Sequence, residues 1–267
     1  MDCRSLRVAR VSDERKQAVQ AQFGRQAPWY TVSDVHRESA GLAALMRFAA
    51  PFSGARALDI ATGTGFTAFA VAPQCRRVFG LDLTLGMVRE ARRLAGERGA
   101  SNVVFCLGDA EAIPFRDRTF DIVTCRHAAH HFPHPAGAFA EMARVVRPGG
   151  GVILDDTCAP EAPDLADVMN EWERKRDPSH VANHPPSRLR AMLERSGLTV
   201  GETAMTHVPL EFHDWVRRSG IAHDDAAALR ASFLEASPEA RSAFRIDHVD
   251  GNLRFAWPEL VVLAIKR

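Results

Sequence analysis

ALDIATGTGFTA, residues 57–68, is the stretch on which the fold turns. The run ARALDI reads as a strand carrying Asp59 at its end, and a turn holding Gly63 and Gly65 leads into a helical pattern through Ala72. Glycine lets the backbone bend sharply and approach a ligand closely. The first N–H groups of the following helix lack partners of their own, so the anionic part of a ligand belongs there. Gly63, Gly65 and Ala68 also satisfy the G-x-G-x-x-A fingerprint of dinucleotide sites. Alone, that pattern does not separate a nicotinamide cofactor from another nucleoside, nor either from a tight strand–helix turn without a ligand.

Outward from this turn, RVFGLD, NVVFCL, FDIVTC and GGVILDD read as further strands. Between them lie helical patterns: Leu85, Val88, Ala91 and Leu94 behind a candidate N-cap at Thr84, and Phe139, Met142, Val145 and Val146. This alternation predicts an α/β fold with a doubly wound parallel sheet. Upstream, Asp13–Phe23 and Ser33–Ala49 read as helices with a break around Pro28. Downstream of Asp156 the chain turns more helical. Leu165, Val168, Met169 and Trp172 line one face of a helix whose last turn is basic, and RDPSH stops it at Pro178. A helix near 187–196, a strand near 198–205, helices to about Ala243 and the strand LVVLAIKR follow. Residues 157–256 therefore read as a cap tied to the sheet by strands.

Composition narrows the classes. The chain of 267 residues is 46% apolar and 25% charged with a formal net charge of +1, which recommends neither nucleic acid nor an anionic membrane as partner. No apolar run approaches the roughly 18 residues of a membrane span, and MDCRSLRVARVSDERKQ lacks the apolar run of a secretory leader. Cys3, Cys75, Cys106, Cys125 and Cys158 are odd in number, scattered and without a CxxC, the pattern of reduced thiols in a cytoplasmic protein.

Two further motifs carry chemistry. VFGLDLT places Asp82 at the end of the next strand, 17 residues after Gly65, where a carboxylate can accept both hydroxyls of a ribose. In CLGDAEAIPF, Asp109 follows the third strand, where it can accept from an adenine amino group while the N–H of Ala110 donates to the ring. In order with FDIVTCRHAAHHF and ARVVRPGGG, these motifs resemble the class I S-adenosylmethionine-dependent methyltransferases, in the branch of the ubiquinone/menaquinone methyltransferases. The resemblance covers residues 23–155 well and RDPSH and the final strand more loosely. It implies a Rossmann-like, mostly parallel sheet of seven strands, the last antiparallel, with a helical cap. The implied divisions are a helical segment 1–50 over the cofactor site, a core 51–156, a cap 157–256 with one core strand, and a final strand 257–267.

By the same resemblance, Asp59 and the turn Ala61, Thr62, Gly63 to Gly65 hold the methionine moiety, and Asp82 takes the ribose. Leu83 lies against the adenine, Asp109 and Ala110 read its edge, and the carbonyl region of Arg126 lies near the methionine amine. Phe23 and Tyr30 match a segment that folds over the cofactor in relatives. Ala61 departs from the glycine usual in that turn, and a conventional φ there would accommodate it.

RHAAHHFPHP, residues 126–135, holds His127, His130, His131 and His134. On a helix these would share one face and suggest zinc or a redox metal, but Pro133 and Pro135 oppose that helix and no nearby cysteine completes a ligand set. No metal is expected there. The loop follows the fourth strand, at the sheet edge where ligands bind. His127, His130 or His131 can therefore face the acceptor as base, or pack under the cap. His180 in RDPSH is a second base candidate, and Arg126 or Arg176 can stabilise an acceptor anion. Leu165, Met169, Trp172, Phe212, Trp215 and Trp257 either line an apolar acceptor pocket or form the cap's own core.

The expected activity is methyl transfer from S-adenosylmethionine, leaving S-adenosylhomocysteine, to a small-molecule acceptor, in a monomer or homodimer. A nicotinamide-dependent oxidoreductase and a non-catalytic S-adenosylmethionine-binding protein are the alternatives. The aligned place of the NPPY-type tetrad reads CRHA, and no basic stripe with interleaved aromatics is present, which argues against nucleic-acid acceptors.

Overall fold

A computed structural model describes residues 13–30 and 39–267, the side chains of residues 25–30 excepted. The first five apolar runs form parallel strands: β1 Ala55–Ile60, β2 Cys75–Asp82, β3 Val103–Leu107, β4 Phe120–Arg126 and β5 Val146–Thr157. β6 Leu198–Glu211 and β8 Asn252–Lys266 pair antiparallel, and β8 runs antiparallel to β5. The order is β3-β2-β1-β4-β5-β8-β6, with the short β7 Asp247–Val249 against β8. The winding reverses between β1 and β4, and that reversal opens a crevice beyond the carboxyl ends of the strands.

Among the described residues, helices cover both faces. Alternation along β1 sends Leu58 and Ile60 to one side, with Phe139 and Met142 of α5 (Pro135–Val145) and Leu189 and Leu193 of α7 (Pro186–Arg195). Ala55 and Ala57 face the other side, with α2 (Ala40–Ala49), α3 (Phe66–Val71) and α4 (Leu85–Glu97). The remaining helices are α1 (Glu14–Tyr30), α6 (Pro163–Arg176), α8 (Phe212–Ser219), α9 (His223–Leu234) and α10 (Pro238–Ala243).

The parallel sheet with an antiparallel end is the expected one, and the differences have local causes. β7 adds an eighth strand, and its three exposed residues carry no apolar pattern to announce it. β8 begins at Asn252, earlier than expected, because its polar start hides the alternation, and β6 likewise continues through Pro209 to Glu211. Helix α1 continues past Pro28 to Tyr30; proline removes one i→i−4 bond, which a last turn tolerates. On α4, Met87 is buried where Leu85 was expected, and Leu85 is 45% exposed. Cys75, Cys125 and Cys158 are buried thiols, whereas Cys106 is joined in a disulfide. Spacing along a chain does not say which thiols folding brings together.

The cap is a solid aromatic core. From Asn252 to Pro258, β8 pairs only with β6 and β7 among the described strands. On that extension Trp172 stacks on Phe233 with centroids 3.9 Å apart, and Trp215, Phe244, Phe255 and Trp257 close around them. The Trp257 indole N–H donates to Glu173 at 2.5 Å, which satisfies the one polar atom the cluster buries on that ring.

The ATGTG turn takes φ of +51° at Ala61, +54° at Gly63 and +94° at Gly65. Ala61 thus adopts the left-handed region and not the conventional φ expected for it. The alternate left-handed residues curl the chain back so that Thr62 N–H reaches Leu81 O and Gly65 N–H reaches Thr62 O. A Cβ on Gly65 would lie 2.7 Å from Phe105 Cζ and 2.9 Å from Phe69 Cε2. Opposite outcomes are expected in urea unfolding. Gly65→Ala loses about 2 kcal/mol or more through backbone strain and overpacking. Ala61→Gly holds stability or gains up to about 1 kcal/mol, against the usual loss for that exchange.

Candidate functional site at the carboxyl edge of the sheet

The strand ends collect acids. Asp59, at the end of β1, is 1% exposed and accepts hydroxyl hydrogen bonds from Thr62 (2.6 Å) and from Thr124 on β4 (2.7 Å). Asp82, at the end of β2, accepts from the backbone N–H of Gly63 and of Thr84, both at 2.8 Å. Thr84 is the N-cap residue of α4 as expected, but its hydroxyl makes no capping bond. Burial pushes both carboxyls up to about 6, against the hydrogen bonds that favour their ionised forms. Asp109 follows β3 and accepts from Glu111 N–H at 2.9 Å.

These groups surround one open cleft of about 1060 Å³ of empty space, solvent mouth included. Of the residues singled out in the sequence, Asp59, Ala61, Thr62, Gly63, Asp82, Leu83, Asp109, Ala110, Arg126, His127 and His131 line it. Gly65 is not among the lining residues; it packs the turn against Phe105. His130 and His180 lie behind the wall. Tyr30 ends α1, and its side chain lies outside the described residues.

Helix α1 roofs the cleft through contacts invisible to motif reading. Lys16 Nζ donates to Asp109 Oδ2 at 2.7 Å and to Glu111 Oε2 at 2.6 Å. Gln20 donates to Leu83 O at 2.9 Å, and Gln22 to Ser219 O in the cap at 2.9 Å. Phe23 sets its ring against His131, centroids 4.9 Å apart and near perpendicular. The sequence points to Phe23, whereas Lys16, Gln20 and Gln22 stand in a helix without a chemical motif.

The histidine loop divides into front and back. His131 lines the cleft, and its Nδ1–H donates to Ser179 O at 3.1 Å, which leaves Nε2 as the basic atom. Burial and the neighbouring His130 hold its pKa down at about 4. His130 receives opposite treatment: although burial disfavours its charge, Asp156 bonds its ring Nδ1 at 2.6 Å and its backbone N–H at 3.0 Å, and its pKa is raised. Burial depresses His180 strongly; it hydrogen-bonds Asn170 at 2.9 Å inside the cap. Arg176 donates to Trp215 O and lies over that ring, so it too serves the cap. Leu165, Met169, Trp172, Phe212, Trp215 and Trp257 form the cap's core, and none lines the cleft.

Arg126 and His127 lead into a second acidic group. Arg126 Nε donates to Asp155 Oδ2 at 3.1 Å, and its Nη2 to the Ser39 hydroxyl at 3.2 Å. His127 sits at φ +49°, and its Nε2 bonds Glu259 Oε1 at 2.7 Å. Burial would push the Glu259 carboxyl up, but His127 and the Thr206 hydroxyl hold it at about 2. Asp155 is raised well above the usual range by burial and by Glu259 beside it. Sequence reading missed both acids. The signal for Glu259 was a lone charge interrupting the apolar run from Trp257 to Ala264.

Residues 58–154 match the methyltransferase-domain family. YcgJ of Bacillus subtilis (strain 168), an uncharacterized methyltransferase, is 36% identical over 247 residues, which cover 92% of this chain and 98% of the relative. The demethylmenaquinone methyltransferase of Renibacterium salmoninarum is 32% identical over 183 residues, 67% of this chain and 75% of the relative. The crystal structure of the Bacillus YcgJ protein superposes with a TM-score of 0.81 over 85% of this chain and 98% of that one.

The buried acids set a pH dependence. A folded-state value of about 6 for Asp59 lies above the ~3.9 of an unfolded aspartate. The folded chain therefore binds more protons than the unfolded chain between those values, and stability falls as pH rises through that window. Relative to the parent, Asp59→Asn is expected to gain about 1–2 kcal/mol at pH 7.5 and almost nothing at pH 4, read from urea midpoints. An equal loss at both pH values would mean that the threonine bonds outweigh the buried charge.

Proposed function

The chain belongs to the methyltransferase family, and we propose that it moves the methyl group of S-adenosylmethionine to a small-molecule acceptor bound in this cleft. One observation carries the reading: Asp59, Asp82 and Asp109, at the ends of three consecutive strands, border a single cleft entered by a left-handed glycine turn. The donor set fits such a nucleoside. Asp82 is aimed by two backbone N–H groups, and each of its oxygens retains lone-pair capacity for a ribose hydroxyl. A Cβ on Gly63 would meet no atom within 4 Å, so what the glycine spares is the cleft itself.

S-adenosylmethionine supplies an electrophilic methyl on a sulfonium, and the rest falls to the chain. Asp59 acts through Thr62 and Thr124, locking the turn to β4 so that the Ala61–Gly63 backbone faces the methionine end. Ala110 N–H and the Asp109 carboxylate meet the base edge under Lys16. On the acceptor side, Phe23, Phe66 and Phe132 provide an apolar wall, which suits a ring compound of the kind named in the demethylmenaquinone relative. Neutral His131 accepts the hydrogen bond of the acceptor's reacting group through Nε2 and would take its proton as the methyl group moves and S-adenosylhomocysteine leaves. That contact aligns a lone pair with the methyl carbon, where proximity and orientation can supply roughly 7–11 kcal/mol. Burial and the neighbouring His130, whose pKa Asp156 raises, favour the neutral form of His131 for this role.

Isothermal titration is expected to show one S-adenosylhomocysteine site per chain and none for reduced nicotinamide dinucleotide; the reverse pattern would overturn the donor assignment. Asp82→Ala should weaken binding at least tenfold. His131→Ala should keep that affinity within about twofold while turnover with a quinol-type acceptor drops about 100-fold.

A further inference from the structure

We propose that His127, Asp155 and Glu259 form a binding site for one divalent first-row cation, manganese or zinc in class, in the wall of the cleft. Three separate parts of the chain converge there: the loop after β4, the end of β5 and the middle of β8. One ligand atom from each lies within 4.8 Å of the other two. Both carboxylates are fully buried. Asp155 stands opposite Val261 and Thr157 opposite Glu259, so the two acids are diagonal neighbours on one face of the antiparallel pair.

Arg126 Nε meets Asp155 Oδ2, while Asp155 Oδ1 is buried with no hydrogen-bond donor among the described residues. Two carboxylates buried side by side need a proton or a further cation between them. A proton shared by the acids would fill that role but would not need an imidazole. Here His127 is held in the left-handed region, its N–H on Asp155 O at 2.7 Å, with its ring on Glu259. A metal ion uses all three groups. Helix α2 closes the far side so tightly that a Cβ on Gly41 would meet the Glu259 carboxylate atoms at 2.5 Å. Only His127 reaches the cleft, so open coordination positions would face the acceptor. One imidazole nitrogen and two carboxylates suit manganese or zinc better than magnesium. An oxygen-chelating acceptor, such as a vicinal diol of an aromatic or enolic ring, would complete the shell. The no-metal expectation for the histidine loop rested on ligands within the loop and its neighbouring sequence; these come from distant strands.

The full chain, stripped with chelator and dialysed, is titrated calorimetrically with manganese(II) chloride and with zinc chloride. One site per chain of micromolar affinity is expected for at least one ion, weakened at least tenfold in His127→Ala. Manganese should also broaden the His127 ring signal in the parent protein, a readout that stands if the variant misfolds. Failure of both ions to bind overturns the site, as does binding that is unchanged in His127→Ala and leaves that signal sharp. S-adenosylhomocysteine binding, titrated separately, distinguishes failure of this site from failure of the donor assignment.

Discussion

A carboxyl group removed from water must be met by donors or by a cation, and the functional edge of this sheet is organised by that requirement. Asp59 is satisfied by hydroxyls from its own turn and from β4, so β1 and β4 are stitched at the point where the winding reverses. Asp82 takes N–H groups from the first turn and from the start of α4, which ties β2 to β1. Asp156 binds the histidine loop, and Asp155 and Glu259 take Arg126 and His127. Five acids thereby hold the loops after β1, β2 and β4 in place. Hydrophobic burial assembles the layers behind them but is indifferent to these loop positions.

The fold was legible because its signals are local. Glycine turns, acids at strand ends and apolar runs of fixed period are all properties of a few adjacent residues. The residues at the strand ends that the motifs single out each stand at a fixed offset from a strand, and Asp59, Asp82 and Asp109 line one cleft. What escaped depends on residues distant in the chain. Lys16 reaches Asp109 across 93 positions and His127 reaches Glu259 across 132. Ala61 misled in another way: its residue type favours a conventional φ, but the turn imposes a left-handed one.

The histidine loop shows how one composition serves two environments. A short 3₁₀ turn over Ala129–His131 places adjacent imidazoles on different partners, one on an aspartate and one on a carbonyl. The aspartate raises the pKa of one ring, while burial lowers that of the other, whose tautomer the carbonyl fixes. Sequence alone ranks these histidines equally, because what separates them is Asp156 on β5 and Ser179 after α6.

The cap rests on β6 and β8, the two strands that also close the sheet, and each runs unbroken from one layer into the other. It therefore has no seam. A lid on a loop can be exchanged between relatives by cutting two linkers, whereas grafting this cap would sever both strands inside a hydrogen-bonded ladder. A change in the shape of the cleft must then arise by replacing side chains along its wall, one at a time, and not by acquiring a foreign cap whole.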